Sequence, residues 1–250
     1  MTAPRVPGPS RRFDSVGFSE IVQVRNRVLK LLAAGRSVYR FEGGEPYMTT
    51  PEPIKRAMED ALARNETRYA PSSGIPELRR AILEKVRAKN RIPADEESPI
   101  VVNGGMQGLF AAFSTLLDPG DEVVTFSPYW TPIVDLVTWS GAVPVLVSTE
   151  RARAKGISAA LARVITPRTK VLYWNSPNNP TGDVFSRREV EEVCAFVAGS
   201  GLAMVSDEAY EDLIYEGEPH VSPASLPGMA ERTISVFTLS KSFSMTMVMS

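Results

Sequence analysis

The chain has 250 residues, enough to bury one substantial core or a core with a satellite domain. Its 28 Lys+Arg balance 29 Asp+Glu, and no basic run is long enough to give the footprint of a nucleic-acid binder. The single cysteine, Cys194, excludes an internal disulfide and a cysteine-rich metal site, and its periodic apolar surroundings read as buried.

Residues 1–18 are rich in Pro and Arg at the start and read as a flexible arm. They hold no apolar core of a secretory signal, and no apolar run anywhere approaches the length of a membrane span, so the expectation is a soluble, cytoplasmic protein. Helical periodicity covers 19–34, with Ile21, Val24, Val28, Leu29 and Leu32 able to share a face and Gly35 as the stop. A short strand is expected over 38–41, then helices over 53–64 and 76–89, each with proline in its first turn. Beyond Pro99 strands and helices alternate. Strands are expected at 100–102, 122–126, 143–147, 171–174, 203–205 and 233–237; helices at 105–117, 132–139, 157–164 and 187–198. Short, continuously apolar strands separated by helices predict an α/β fold, a mostly parallel sheet with helices on both faces. Trp139, at the end of one helix, reads as a core residue.

In such sheets ligands bind at the carboxyl ends of the strands, and several chemistry-bearing residues fall there. Lys241 follows the apolar stretch 233–237. Desolvation lowers a lysine's proton affinity and makes its amine a nucleophile toward carbonyl compounds; the other reading is a surface charge. Asp207 follows Met204-Val205-Ser206 and is either a buried carboxylate at a strand mouth or a helix N-cap. Asn179 lies in Asn-Ser-Pro-Asn-Asn-Pro-Thr-Gly (175–182), which is longer than turn chemistry requires. Gly104, Gly105 and Met106 lie between a strand and a helix, where free N–H groups attract an anion. His220, the one histidine, sits beside Pro219 in a polar loop and reads as solvated, which excludes Ser-His-Asp catalysis.

Taken in order, Gly43-Gly44-Glu45-Pro46, Tyr69-Ala-Pro-Ser-Ser-Gly74, Asn103-Gly-Gly-Met-Gln107, Ser127-Pro-Tyr-Trp130, the 175–182 motif, Ser206-Asp-Glu-Ala-Tyr210 and Thr238-Leu-Ser-Lys241 span nearly the whole chain. This set resembles the fold-type I, pyridoxal-phosphate-dependent aminotransferases of class I/II. The resemblance implies a large cofactor-binding domain over 51–250 and an incomplete small domain from 19–50. It implies an enzyme that moves an amino group between an L-amino acid and a 2-oxo acid, with Lys241 forming an imine with pyridoxal 5'-phosphate and then moving the proton. Asp207 would pair with the ring nitrogen and keep it protonated, so that the ring accepts electrons. Asn179 and Tyr210 would bind the phenolic oxygen, and Trp130 would stack on the ring. The phosphate would meet Gly104, Gly105, Met106 and Thr238, together with Tyr69 of a neighbouring subunit, which implies a homodimer. Gly44, with Asn179, would lie on the substrate side.

Two departures accompany the resemblance. Tyr47-Met48 replace the family's usual Asp-Phe, and Met249 stands where an arginine would pair with the phosphate. A C-terminal segment bearing the arginine for the substrate carboxylate is missing from the pattern, so the chain reads as a truncated member. A non-catalytic remnant, a carbon–sulfur lyase and a cyclopropane-carboxylate synthase share these residues and stay open.

Overall fold

The structure, a computed structural model, describes residues 20–217 and 219–246 together with Gly8, Ser10 and Gly17. The expected arm and Met249 therefore lie outside the described residues. Three helices come first: α1 (Glu20–Ala33), α2 (Glu52–Ala63) and α3 (Pro76–Ala88), the last two with Pro in their first turns. Strand–helix alternation follows: α4 (Gly104–Leu116), β1 (Glu122–Ser127), α5 (Pro132–Trp139), β2 (Val143–Ser148), α6 (Thr149–Lys155), α7 (Ile157–Ala162), β3 (Thr169–Asn175), α8 (Arg187–Ser200), β4 (Ala203–Asp207), β5 (Thr233–Val236) and the single turn α9 (Leu239–Ser242). Two 3₁₀ turns, Pro223–Ser225 and Ala230–Arg232, lead into β5.

The five strands form one parallel sheet in the order β2-β1-β3-β4-β5. After β1 the chain moves to one side for β2 and returns to the other side for β3, so the strand order reverses between β1 and β3. A crevice opens at such a switch point beyond the strands' carboxyl ends. Side-chain alternation divides the core between the two faces. Leu172 and Trp174 of β3 pack with Val193 and Val197 of α8 and Leu161 of α7 on one face. Val171 and Tyr173 pack with Phe113 of α4 and Val137 of α5 on the other. Burying each such aliphatic side chain contributes roughly 1.5–3 kcal/mol, which holds the strand ends, and whatever they carry, in a fixed frame. α8 begins with a capping box in which Ser186 Oγ accepts from Glu189 N–H and Glu189 accepts from Ser186 N–H, and it ends at left-handed Gly201.

Several expectations are corrected. Residues 38–41 are not a strand: Tyr39 and Phe41 are exposed, and no strand among the described residues supplies ladder partners. Residues 100–102 are not one either; Val101 N–H makes an isolated bond to Ser73 O. Helix α6 was not expected, although Ser148 caps it by accepting from Arg151 N–H. Trp139 is not core but lies with Met106, Phe110 and Leu136 along a surface groove of about 310 Å³; the fully buried tryptophan is Trp174. No helix among the described residues is long and apolar enough to cross a membrane.

Candidate active site

The parallel register aligns Asn175 with Asp207 at the carboxyl ends of β3 and β4. Asn175 Nδ2 donates to Asp207 O at 3.1 Å, and Asn175 Oδ1 accepts from Asn179 N–H at 2.9 Å. One asparagine therefore ties the strand pair to the 175–182 loop. Asn179 Nδ2 in turn donates to Tyr210 Oη at 3.3 Å.

Asp207 is buried, its side chain held by two donors. Tyr173 Oη donates to Oδ2 at 2.7 Å and Ala209 N–H to Oδ1 at 3.3 Å. No cation pairs with this carboxylate among the described residues. Loss of water pushes its pKa up to about 6, opposed by the hydrogen bonds from Tyr173 and Ala209. The same burial raises the Tyr173 and Tyr210 phenols, with the charge of Asp207 adding to both; the bond from Asn179 favours the Tyr210 phenolate.

Lys241 reaches the same place from α9. Its Nζ donates to Gly44 O at 2.8 Å and lies 5.6 Å from the centre of the Tyr210 ring. Half-burial lowers its proton affinity, opposed by the field of Glu45. Gly44 is exposed but lies against Tyr210: a Cβ built there would stand 3.0 Å from Tyr210 Oη. A side chain there would press on the Tyr210 hydroxyl, which would have to give by a few tenths of an ångström.

α4 has neither a side-chain N-cap bond nor an acidic residue in its first turn; Gly104 N–H donates to Val102 O at 2.9 Å, which leaves the N–H groups of Gly105 and Met106 to face an anion. Gly104 has φ +74°, the left-handed turn that aims them. Gly105 faces Val236 and Thr238 at ordinary contact distances, so no steric need for glycine is present there. Thr238 caps α9, accepting from Ser240 N–H at 3.1 Å. The Met106 side chain lies in the surface groove, which leaves its backbone N–H as its contribution to the α4 terminus. Trp130 is half-buried and packs against the α4–α5 side of the core.

The structure thus brings Gly44, Asn179, Asp207, Tyr210 and Lys241 into one connected cluster, with Gly105 near Thr238 beside it. Tyr69 stands apart, its side chain fully exposed in the single chain. His220 is not solvated as expected; its side chain is 7 % exposed and its Nε2 lies 2.7 Å from Glu208 Oε2. Tyr173 and Asn175 were missed as site residues. Asn175 carried a signal in its motif, whereas Tyr173 carried none, since it sits mid-strand among apolar neighbours.

Comparison with known proteins agrees with this geometry. The family described as aminotransferase class I and II matches residues 32–247. The aspartate/prephenate aminotransferase of Thermus thermophilus is 42 % identical over 249 residues, covering 96 % of this chain and 62 % of the relative. An aspartate aminotransferase of Streptomyces avermitilis is 37 % identical, covering 98 % and 61 %. Among solved structures, aspartate aminotransferase from Thermus thermophilus with maleate superposes at TM-score 0.91 and 41 % identity, covering 96 % of this chain and 63 % of that one. The Rhizobium meliloti aspartate aminotransferase superposes at 0.89 and 34 % identity, covering 96 % and 61 %. The chain spans less than two thirds of the length of these relatives. A parallel sheet of this topology, the motif cluster at its carboxyl edge and a match over most of its length together place the chain in the aminotransferase class I and II family.

Proposed function

We propose that this chain carries the cofactor-binding half-site of a pyridoxal-phosphate-dependent aminotransferase that moves an amino group between an L-amino acid and a 2-oxo acid. The observation that carries it is the connected path from Lys241 Nζ through Gly44, Tyr210, Asn179 and Asn175 to Asp207. The residues fit the cofactor chemically. Asp207 is a buried carboxylate with an elevated pKa and no cation among the described residues, which suits a protonated ring nitrogen. Asn179 and Tyr210 offer an N–H and an O–H to a phenolic oxygen. The open first turn of α4 beside Thr238 suits a phosphate, and Trp130 is the aromatic for a ring face.

When bound, pyridoxal phosphate supplies a carbonyl for amines and a ring that withdraws electrons from the substrate's Cα. The chain's own residues do the rest. Lys241 Nζ, its proton affinity reduced by burial, serves as nucleophile and then as the base that takes the Cα proton and returns it. Gly44 O orients that amine, and its fixed acceptor keeps the nitrogen beside Tyr210. Tyr173 and Ala209 hold Asp207 in one orientation, so no reorganisation is needed as charge develops.

The same proposal includes a small domain begun by 19–50, a large domain over 51–250, a cytoplasmic location and a homodimer in which exposed Tyr69 reaches the neighbouring site. Full exposure of Tyr39, Phe41, Tyr47 and Tyr69 supports a covering partner. The relatives' names make aspartate the donor to try first. The test is to add pyridoxal phosphate and record the visible spectrum. A borohydride-sensitive absorption absent from Lys241→Ala is expected; equal spectra for the two chains contradict the reading. Aspartate should then bleach that absorption in a single half-turnover.

A further inference from the structure

A second polar cluster lies directly behind Asp207. Glu208 is 1 % exposed, a fully buried acid that the chemistry above does not use. Its Oε1 accepts from Ser206 Oγ at 3.0 Å, and its Oε2 accepts from Ser222 Oγ and lies 2.7 Å from His220 Nε2. Three residues on, Glu211 Oε1 pairs with Lys85 Nζ of α3, and Oε2 accepts from Asn90 Nδ2 at 2.6 Å. Asn90 also donates to Ser222 Oγ at 2.8 Å, closing the network. The ligand atoms of Glu208, Glu211 and His220 lie within 4.8 Å of one another, the spacing of a metal site. Yet each oxygen of both carboxylates already faces a proton donor, and Lys85 supplies the cation. A metal would have to break bonds that the protein makes for itself.

The network touches both halves of the candidate active site. Glu208 N–H bonds to Val236 O, fixing the turn that carries Asp207 and Tyr210. Lys85 Nζ sits 3.7 Å from the centre of the Phe237 ring, at the start of the segment that leads to Lys241. We propose that Glu208 and His220 form a positioning pair that fixes the Asp207–Tyr210 turn and sets the charge that Asp207 experiences. This rests on the reading of Asp207 as the ring contact. Glu208 places a negative charge behind Asp207; an imidazolium at His220 offsets it, and a neutral imidazole does not. The groups that share this environment are Lys85 of α3, Lys89 and Asn90 just past its end, Glu211 in the turn, Ser222 near His220, and Cys194 on α8. Burial raises both the Asp207 carboxyl and the Cys194 thiol, and the charge of Glu208 adds to each.

The test is a ¹³C NMR titration of the Asp207 carboxyl in the 250-residue chain without cofactor, its resonance assigned by loss in Asp207→Asn. Glu208→Gln removes the charge but keeps the shape, and the midpoint should fall by about half a unit or more. His220→Gln keeps a donor to Glu208 but never carries charge, and the midpoint should rise by a similar amount. Midpoints within about 0.2 unit of the parent in both variants, or shifts in the same direction, overturn the proposal. If Glu208→Gln does not fold, His220→Gln decides alone: a rise supports the pair and no rise overturns it. A chain that never binds pyridoxal phosphate would sink the proposed function while leaving this titration readable; unchanged midpoints in a chain that separately proves able to bind the cofactor sink only the positioning pair.

Discussion

Two parts of the chain meet at Lys241 and are held by different physics. The carboxyl edge of the sheet is a buried polar lattice in which Asn175, Ser206, Asp207 and Glu208 are each 8 % exposed or less and bonded to one another's strands and turns. The segment 37–75 is its opposite: Tyr39, Phe41, Tyr47 and Tyr69 are 90 % exposed or more. That segment reaches the site through sparse contacts, Gly44 O with Lys241 and Thr50 Oγ1 with Ser244 O at 2.7 Å among them. The site therefore has a floor set by the core and a cover set by a few hydrogen bonds. Changes to the floor should register in folding stability, and changes to the cover in function alone.

The sharpest contrast comes from truncating one apolar residue on each side. Leu172 is fully buried between α7 and α8, and Leu172→Ala should cost about 3 kcal/mol of unfolding free energy in a denaturant melt. Phe41→Ala should change it by less than about 0.5 kcal/mol, since 92 % of Phe41 is already in water. Comparable costs for the two would erase the distinction.

A second test sharpens the account of the floor. Burial raises the Asp207 carboxyl to about 6, so the folded chain holds this proton more tightly than the unfolded chain does. Between about pH 4 and pH 6 the folded state binds more protons, and stability must fall as pH rises through that window. The loss is at most about 3 kcal/mol and persists above pH 6. Asp207→Asn removes it, so the variant should gain on the parent across that window in thermal melts without cofactor. Parallel pH profiles would show that Asp207 is not buried as described.

Smaller still is the effect of one hydroxyl. Tyr173→Phe leaves the ring packed against Phe113, 6.2 Å between centroids, and removes only the donor to Asp207 Oδ2. A cost of about 1–2 kcal/mol is expected, with a higher Asp207 titration midpoint because the charged carboxylate loses a donor. An unchanged midpoint would mean that Tyr173 packs without tuning.

Tyr173 also shows where reading a sequence stops. The strands β1 to β4 and helices α4, α5 and α8 were visible as apolar runs and 3.6-residue periods, because burial of a face writes itself into residue order. Tyr210 was named through the family resemblance, whereas Lys241, Asp207 and Asn179 stood out because each follows a strand's carboxyl end. Tyr173 did not: in Thr-Lys-Val-Leu-Tyr-Trp-Asn it reads as one more core residue. Its hydroxyl meets Asp207 only through the pairing of Tyr173 with Val205 and Asn175 with Asp207. His220 failed for the same reason, its partner Glu208 being 12 positions away across a turn. Residues 38–41 and 100–102 had strand composition without a partner strand among the described residues, and a ladder needs two strands.

The most direct measurement of the central claim is to add pyridoxal phosphate, reduce with borohydride and map the modified peptide by mass spectrometry. The account predicts one phosphopyridoxyl group, on Lys241, because its amine is half-buried beside Tyr210 with lowered proton affinity. Label spread over solvent-facing lysines such as Lys55 and Lys170, with Lys241 unmodified, would contradict it.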